Sequence, residues 1–385
     1  MVTSTYDNRL FSHSQSNFLS FLHAVPSALS SFHLYKAKCG STTMMQWLHS
    51  HNETLSFNYE VTHLSHGKIG SFIKKLYYGL ELPTSSNSAN TSTIGTAVGA
   101  MTTETTKRAM TLYDNYQRGY KSPVDVQNIR AINLIREYFP QTKLFIGIRH
   151  PIRWFESFYN HRIQNSGEAM PQPHLLTLCI RASRGVCMNR AKYHMSLVRF
   201  GKTNFSNNTM VSTGGQANED EKNLFSNKDY QELVKDPPIY APNRIFLYDT
   251  DQLADADAFY STVVSDGDGH NIISSETEQR HQRGRQFQFD AQEFMGFQTP
   301  MPPIVHYIPG KTGWNETEQA KRDTLKINIC DAKYYIVRQT LLDIGTNAAT
   351  WIRDYFLQSP DVFVSSRDHF VNNILESYKH DPCVQ

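Results

Sequence analysis

The sequence lacks an excess of either charge. Its 38 Lys and Arg stand against 36 Asp and Glu, a formal net charge of +2, so nothing drives the whole surface toward nucleic acid or a membrane, and any anion site must be local. Cysteines are few, at positions 39, 179, 187, 330 and 383, and no two form a C-x-x-C pair, which argues against a zinc ribbon or a thioredoxin-type motif. No apolar run is long enough to cross a bilayer. The modest patch Phe18–Val25 has no basic flank and is interrupted by polar residues, so it reads as neither signal peptide nor membrane span. There is no internal repeat.

What is present is the composition of a folded globule. Among 385 residues, 39% are hydrophobic and 12% aromatic, with 22 Phe and 20 Tyr, enough for a large core. The odd cysteine count leaves at least one free thiol unless chains are linked. Cys179 and Cys187 are equally readable as a short closed loop or as two buried thiols. Sequons at Asn52, Asn90, Asn204, Asn207 and Asn315 are weak pointers to secretion in a chain so rich in Asn, Ser and Thr.

Short apolar runs at Phe32–Tyr35, Leu55–Tyr59, Leu144–Ile148 and Ile245–Tyr248 predict strands. Helical patterns separate them: Met44, Trp47, Leu48 and His51 after the first, and VQNIRAINLIREYF over Val126–Phe139 before the third. Alternation of this kind implies an α/β fold, a central parallel sheet flanked by helices, whose ligands gather at the strands' carboxyl ends. A single domain over 31–385 is expected after an N-terminal extension, 1–30. Polar stretches near 84–107, 201–229 and 265–292 read as surface insertions or mobile loops. Helical stretches within TLLDIGTNAATWIRDYFL and near His369–Tyr378 are expected to pack on the sheet.

The first strand runs into KAKCGSTT and then a helix, an arrangement that aims free backbone N–H groups at an anion. Gly40 permits close approach, Ser41, Thr42 and Thr43 add hydroxyls, and Lys38 adds charge. In the nucleotide loop G-x-x-x-x-G-K-[ST] the lysine follows the second glycine; here it precedes the glycine, so ATP hydrolysis is not supported. The third strand ends in GIRHPIRWFESFYNHR. Pro151 suits the first turn of a helix whose buried face is Ile152, Phe155, Phe158 and Tyr159. Ser157 falls on the other side. Arg149 and Ser157 are candidates for a second phosphate, with a structural ion pair as the competing reading for the arginine.

These residues resemble the sulfotransferase family. Lys38-Cys39-Gly40-Ser41-Thr42-Thr43 looks like its 5′-phosphosulfate loop, and Arg149 with Ser157 its 3′-phosphate motif. The similarity is closest to the Golgi carbohydrate branch, such as heparan sulfate 3-O- and N-sulfotransferases, in which a catalytic glutamate twenty residues after the loop glycine matches Glu60. The resemblance covers 31–66, 143–162 and, more loosely, 190–200 and 244–253. It implies a P-loop-like sulfotransferase fold and use of 3′-phosphoadenosine 5′-phosphosulfate (PAPS), with no metal. Lys38 would act on the leaving phosphate, Glu60 would be the base, and Lys38 to Thr43, Arg149 and Ser157 would bind the nucleotide. The acceptor would be a glycan or another hydroxyl or amine compound, neither nucleic acid nor membrane being expected as a partner, and the setting the Golgi lumen, for which the sequence shows no signal.

Departures are also visible. The cytosolic branch's glycine-rich C-terminal motif is absent, and IPGKTGW at Ile308–Trp314, with Lys311, is either a closing loop or a surface turn. His63 and His66 are alternative bases, Trp154 is an adenine platform or core, and His161 and Arg162 are candidate lining of the acceptor cleft. A silent nucleotide-binding protein of the same fold, a sulfotransferase of a small non-glycan metabolite and a P-loop kinase are the competing functional readings.

Overall fold

The structure, a computed structural model, describes residues 31–34, 38–78, 116–166, 170–183, 185–200, 242–265, 274–304 and 315–384. The N-terminal extension, the polar stretches 84–107 and 201–229, and IPGKTGW lie outside them.

Six strands form one sheet in the order β2-β3-β1-β4-β5-β6, and every adjacent pair is parallel. They are β1 (Ser31–Leu34), β2 (Thr54–Glu60), β3 (Gln117–Ser122), β4 (Lys143–Ile148), β5 (Ile245–Asp249) and β6 (Val362–Phe363). Helices α1 (Ser41–His49), α2 (Ile69–Tyr78) and α3 (Ile129–Tyr138) make the connections on the β2 side. Then α4 (Pro151–Ser166), α5 (Tyr193–Leu197), α6 (Thr250–Ser265), α7 (Ser275–Met295), α8 (Glu316–Leu325) and α9 (Tyr335–Asp354) follow. The fold is α/β, a parallel sheet flanked by helices.

The strands alternate between two cores, as period-2 geometry demands. In β4 and β5, Leu144, Ile146, Ile148, Ile245 and Leu247 face a core completed by Ile132 and Ile135 of α3 and by Trp351 and Ile352 of α9. Phe145, Phe246 and Tyr248 face the other, with Met44, Trp47 and Leu48 of α1 and Phe287 and Phe294 of α7. Both faces being covered, these strands are nearly continuous apolar runs. The helical stretches near the C-terminus do pack on the sheet, for Phe370, Ile374, Leu375 and Tyr378 belong to the first core.

Several expectations need correction. His51 lies in the turn beyond α1, where its ring stacks on Phe297 at 3.9 Å. The stretch Val126–Phe139 divides into a 3-10 turn, Asp125–Gln127, and α3, because Asn128 caps the helix by accepting from the Ala131 N–H at 3.2 Å. Residues 275–292 belong to the 21-residue α7, not to a loop. Ser274 caps its start and Gly296, at φ 72°, ends it. Its buried positions, His281, Gly284, Phe287, Gln288, Ala291, Phe294 and Met295, follow helical spacing within a mostly polar sequence. A Cβ on Gly284 would lie 2.4 Å from the Asp255 carbonyl oxygen, so that glycine permits contact with α6.

Phe246 touches Phe145 at 5.1 Å, Phe294 at 5.3 Å and Phe287 at 5.7 Å between ring centroids, tying sheet to α7. Phe246→Ala is expected to lower the unfolding free energy by about 3–5 kcal/mol, measured by denaturant titration.

Candidate active site

β1 sits between strands that the chain reaches in opposite directions, β3 and β2 on one side, β4 to β6 on the other. Its carboxyl end is therefore the topological switch point of the sheet, and Lys38 to Thr43 lie just beyond it. Lys38 and Gly40 have φ of 66° and 71°, while Cys39 between them does not share the positive sign. Such alternation turns successive N–H groups toward one concavity. Gly40 occupies the N-cap of α1; Ser41 and Thr43 are buried and Thr42 half-buried. Cys39 forms no disulfide and is fully buried.

The loop lies against β4 because Gly147 has no side chain. A Cβ there would stand 2.6 Å from the Cys39 carbonyl oxygen. The Tyr248 hydroxyl donates to that same oxygen at 3.1 Å. Arg149 leaves the end of β4 and its Nη1 reaches the Lys38 carbonyl oxygen at 3.4 Å, while its own carbonyl accepts from the Tyr193 hydroxyl at 2.6 Å.

Glu60 ends β2, paired in register with Lys121 of β3. The Lys121 ammonium lies 3.2 Å from Glu60 Oε1 and donates to Thr42 Oγ1 at 2.8 Å. One nearly buried lysine thus joins the candidate base to the anion loop across two strands. The Glu60 side chain is 52% exposed and its neighbour is a cation.

Positive charge converges here. Burial, then Arg149 and Lys121, hold the Lys38 ammonium below its ordinary pKa, and Glu60 opposes them. His161 on α4 is pushed down to about 4 by burial and by Lys38, Arg162 and Lys121. Arg162 stacks over the Phe158 ring at 5.1 Å and, after burial, is the charge that lowers Arg190. An anion placed among these groups would relieve repulsion already built into the fold. Ser157 is half-buried on α4, opposite the fully buried Phe155.

The remaining candidates separate from this cluster. His63 is lowered by burial, then by Lys75 and Lys68 rather than by Lys38. His66 is exposed and its Nδ1 lies 2.6 Å from the Thr62 carbonyl oxygen. Trp154 is a core residue, fully buried with its ring 5.6 Å from that of Phe158. Among the described residues no group of three or more His, Cys, Asp or Glu is placed to hold a metal. Lys121, Tyr193, Tyr248 and Arg190 carry no sequence motif. Lys121 would have been found only by recognising QRGYKS as a strand beside β2.

No family model matches the sequence, and no curated protein does. Among solved structures, a sulfotransferase from Alicyclobacillus acidocaldarius is similar at 13% identity and a TM-score of 0.36, over 85% of this chain and 96% of that one. A likeness at that level carries no argument about chemistry, so the site is interpreted from its own residues.

At the end of β5, Asp249 is fully buried, accepting from the Tyr378 hydroxyl at 2.5 Å and from the Asp251 N–H at 2.8 Å. Burial, then Asp251, raise its carboxyl from 3.8 to about 7. The native state therefore holds this proton more tightly than the unfolded chain. Both states are protonated below about pH 4, so the group is neutral to stability there; as pH rises toward 7 the unfolded chain ionises first and stability falls; above 7 the penalty is constant. Asp249→Asn is expected to flatten that decline in melting temperature against pH, whatever constant offset the lost acceptor adds. An unchanged slope would show that the carboxyl is not the titrating group.

Proposed function

We propose that the protein is a sulfotransferase that moves a sulfuryl group from PAPS to a hydroxyl or amine of a carbohydrate-like acceptor. The observation that carries this reading is the bridge from Glu60 through Lys121 to Thr42, which joins a proton acceptor to an anion loop at the carboxyl end of the sheet. A loop that only held a nucleotide would have no need of a carboxylate tied to it. The motif order, lysine before glycine with Arg149 and Ser157 on the next strand and helix, supports the same reading.

In this account the backbone N–H groups from Gly40 to Thr43, at the positive end of α1, hold the 5′-phosphate. Lys38 neutralises charge on the oxygen that leaves as the sulfur–oxygen bond breaks. Glu60 takes the proton from the acceptor oxygen or nitrogen as that atom bonds to sulfur. Lys121 orients Glu60 and Thr42 together. Arg149, with Ser157, holds the 3′-phosphate; the guanidinium is suited to a phosphate's paired oxygens. The chemistry resembles phosphoryl transfer, in which proteins chiefly position reactants and stabilise spreading charge.

Two disulfides, Cys179–Cys187 and Cys330–Cys383, with Cα separations of 5.0 and 5.2 Å, suit an oxidising compartment such as the Golgi lumen. Exposed sequon asparagines at Asn52 and Asn315 fit the same setting.

The test is transfer of radiolabelled sulfate from PAPS to a panel of glycans and small alcohols. Lys38→Ala is expected to slow transfer by about 10²–10³, and Glu60→Gln by about 10²–10⁴ with nucleotide binding kept. Nucleotide bound without transfer to any acceptor would favour a silent binding protein. Absence of nucleotide binding would overturn the sulfotransferase reading.

A further inference from the structure

The Cys330–Cys383 bridge lies outside the site just described, yet both segments it joins grip α4, the helix that follows Arg149 and carries Ser157. On one side stands the C-terminal hook. His150 Nε2 lies 3.0 Å from the Ser377 carbonyl oxygen and 3.1 Å from that of His380, and its ring meets Tyr378 edge-on at 5.5 Å. Arg153 donates to the Pro382 carbonyl at 3.3 Å. On the other side runs the segment before α9. The Ile329 N–H donates to Glu156 Oε1 at 3.0 Å, and Asn160 exchanges two bonds with Ile327, at 2.8 and 2.9 Å.

The two sides are locked to each other besides the disulfide. Arg338 and Asp381, both nearly buried, pair at 2.8 Å, and Arg338 also donates to the carbonyls of Ile329 and Asp331 at 2.9 and 3.0 Å. The Cys383 N–H donates to Asp381 Oδ1 at 2.9 Å. Gly345 of α9 closes the assembly from beneath: a Cβ there would stand 2.9 Å from Pro151 and 2.9 Å from the Tyr378 carbonyl oxygen. Finally, the hook reaches the carboxyl end of β5, because Tyr378 donates to Asp249. Glu156 is next to Ser157 in sequence, and His150 is next to Arg149. The residues gripped are thus the immediate neighbours of both members of the pair.

We infer that Cys330–Cys383, Asp381 and the segments they join are a positioning clamp that sets Arg149 and Ser157 at the spacing of one 3′-phosphate. This deepens the proposed function and rests on it. The clamp touches no reacting atom. Its effect is on selectivity for the phosphate at the nucleotide's 3′ position, while the 5′-phosphate loop is seated by Gly147 and Tyr248 and meets the clamped pair only through the long 3.4 Å contact of Arg149 with the Lys38 carbonyl. Loss of the clamp leaves the loop able to bind a 5′-phosphate and removes the advantage conferred by the second one.

The experiment compares adenosine 3′,5′-bisphosphate with adenosine 5′-monophosphate by calorimetric titration of wild type, of Cys330→Ser with Cys383→Ser, of Asp381→Asn and of Tyr378→Phe. Melting temperatures are recorded alongside. Tyr378→Phe removes a single hydroxyl and keeps the ring, so it guards against a cysteine variant that fails to fold. The expected result is a preference of wild type for the bisphosphate that falls roughly tenfold in the clamp variants, with monophosphate affinity held. Variants that weaken both ligands equally, or keep the preference, overturn the clamp while leaving the proposed function standing. Wild-type protein with no preference for the bisphosphate overturns both.

Discussion

The Cys39 carbonyl oxygen rests where β4 has no side chain, and the site is built around that approach. Any residue but glycine at position 147 would place a carbon 2.6 Å from the oxygen. With the loop seated there, Tyr248 fixes it by a hydrogen bond and Arg149 reaches the carbonyl before it. Lys38 accepts a left-handed backbone, which costs a non-glycine residue roughly 1–2 kcal/mol. That strain is sustained by the surrounding packing, and in exchange the N–H groups beyond it converge at the start of α1.

Electrostatics complete what packing begins. Burial, then Arg149 and Lys121, and more weakly Arg162, weigh on the Lys38 charge, with Glu60 as the opposing charge. Assembling these groups costs stability in the free protein. The arrangement makes sense if the missing negative charge arrives with a ligand, since a protein of net charge +2 does not need such a cluster for solubility. Lys121 has a double part, one hydrogen bond into the loop and one ion pair to the carboxylate, so that the loop and the carboxylate share one cation.

Much of the fold was readable because its central strands are apolar on both faces: LFIGI and IFLY admit few other interpretations. β3 escaped because it is buried yet polar. QRGYKS puts Arg118, Lys121 and Ser122 inside the sheet, and no periodicity signals partners such as the Glu60 and Thr42 that Lys121 meets. α7 escaped for the opposite reason. Its buried face is spread thinly through glutamines and arginines. The loop residues and Arg149 could be picked out by order and spacing. Lys121 could not, because its relation to Glu60 exists only through strand register. Nor could the Cys330–Cys383 pairing be read, 53 residues apart, since connectivity is set by tertiary structure.

In the proposed function one crevice holds two phosphates in a fixed orientation, the 5′ group on the loop and the 3′ group between β4 and α4. A crystal structure of the protein with adenosine 3′,5′-bisphosphate tests this most directly. If the proposed function is right, the 5′-phosphate lies within hydrogen-bond reach of the backbone from Gly40 to Thr43 and the 3′-phosphate on Arg149 and Ser157, with Glu60 facing the open side of the loop. A nucleotide bound elsewhere, or with its two phosphates exchanged between these sites, would contradict it.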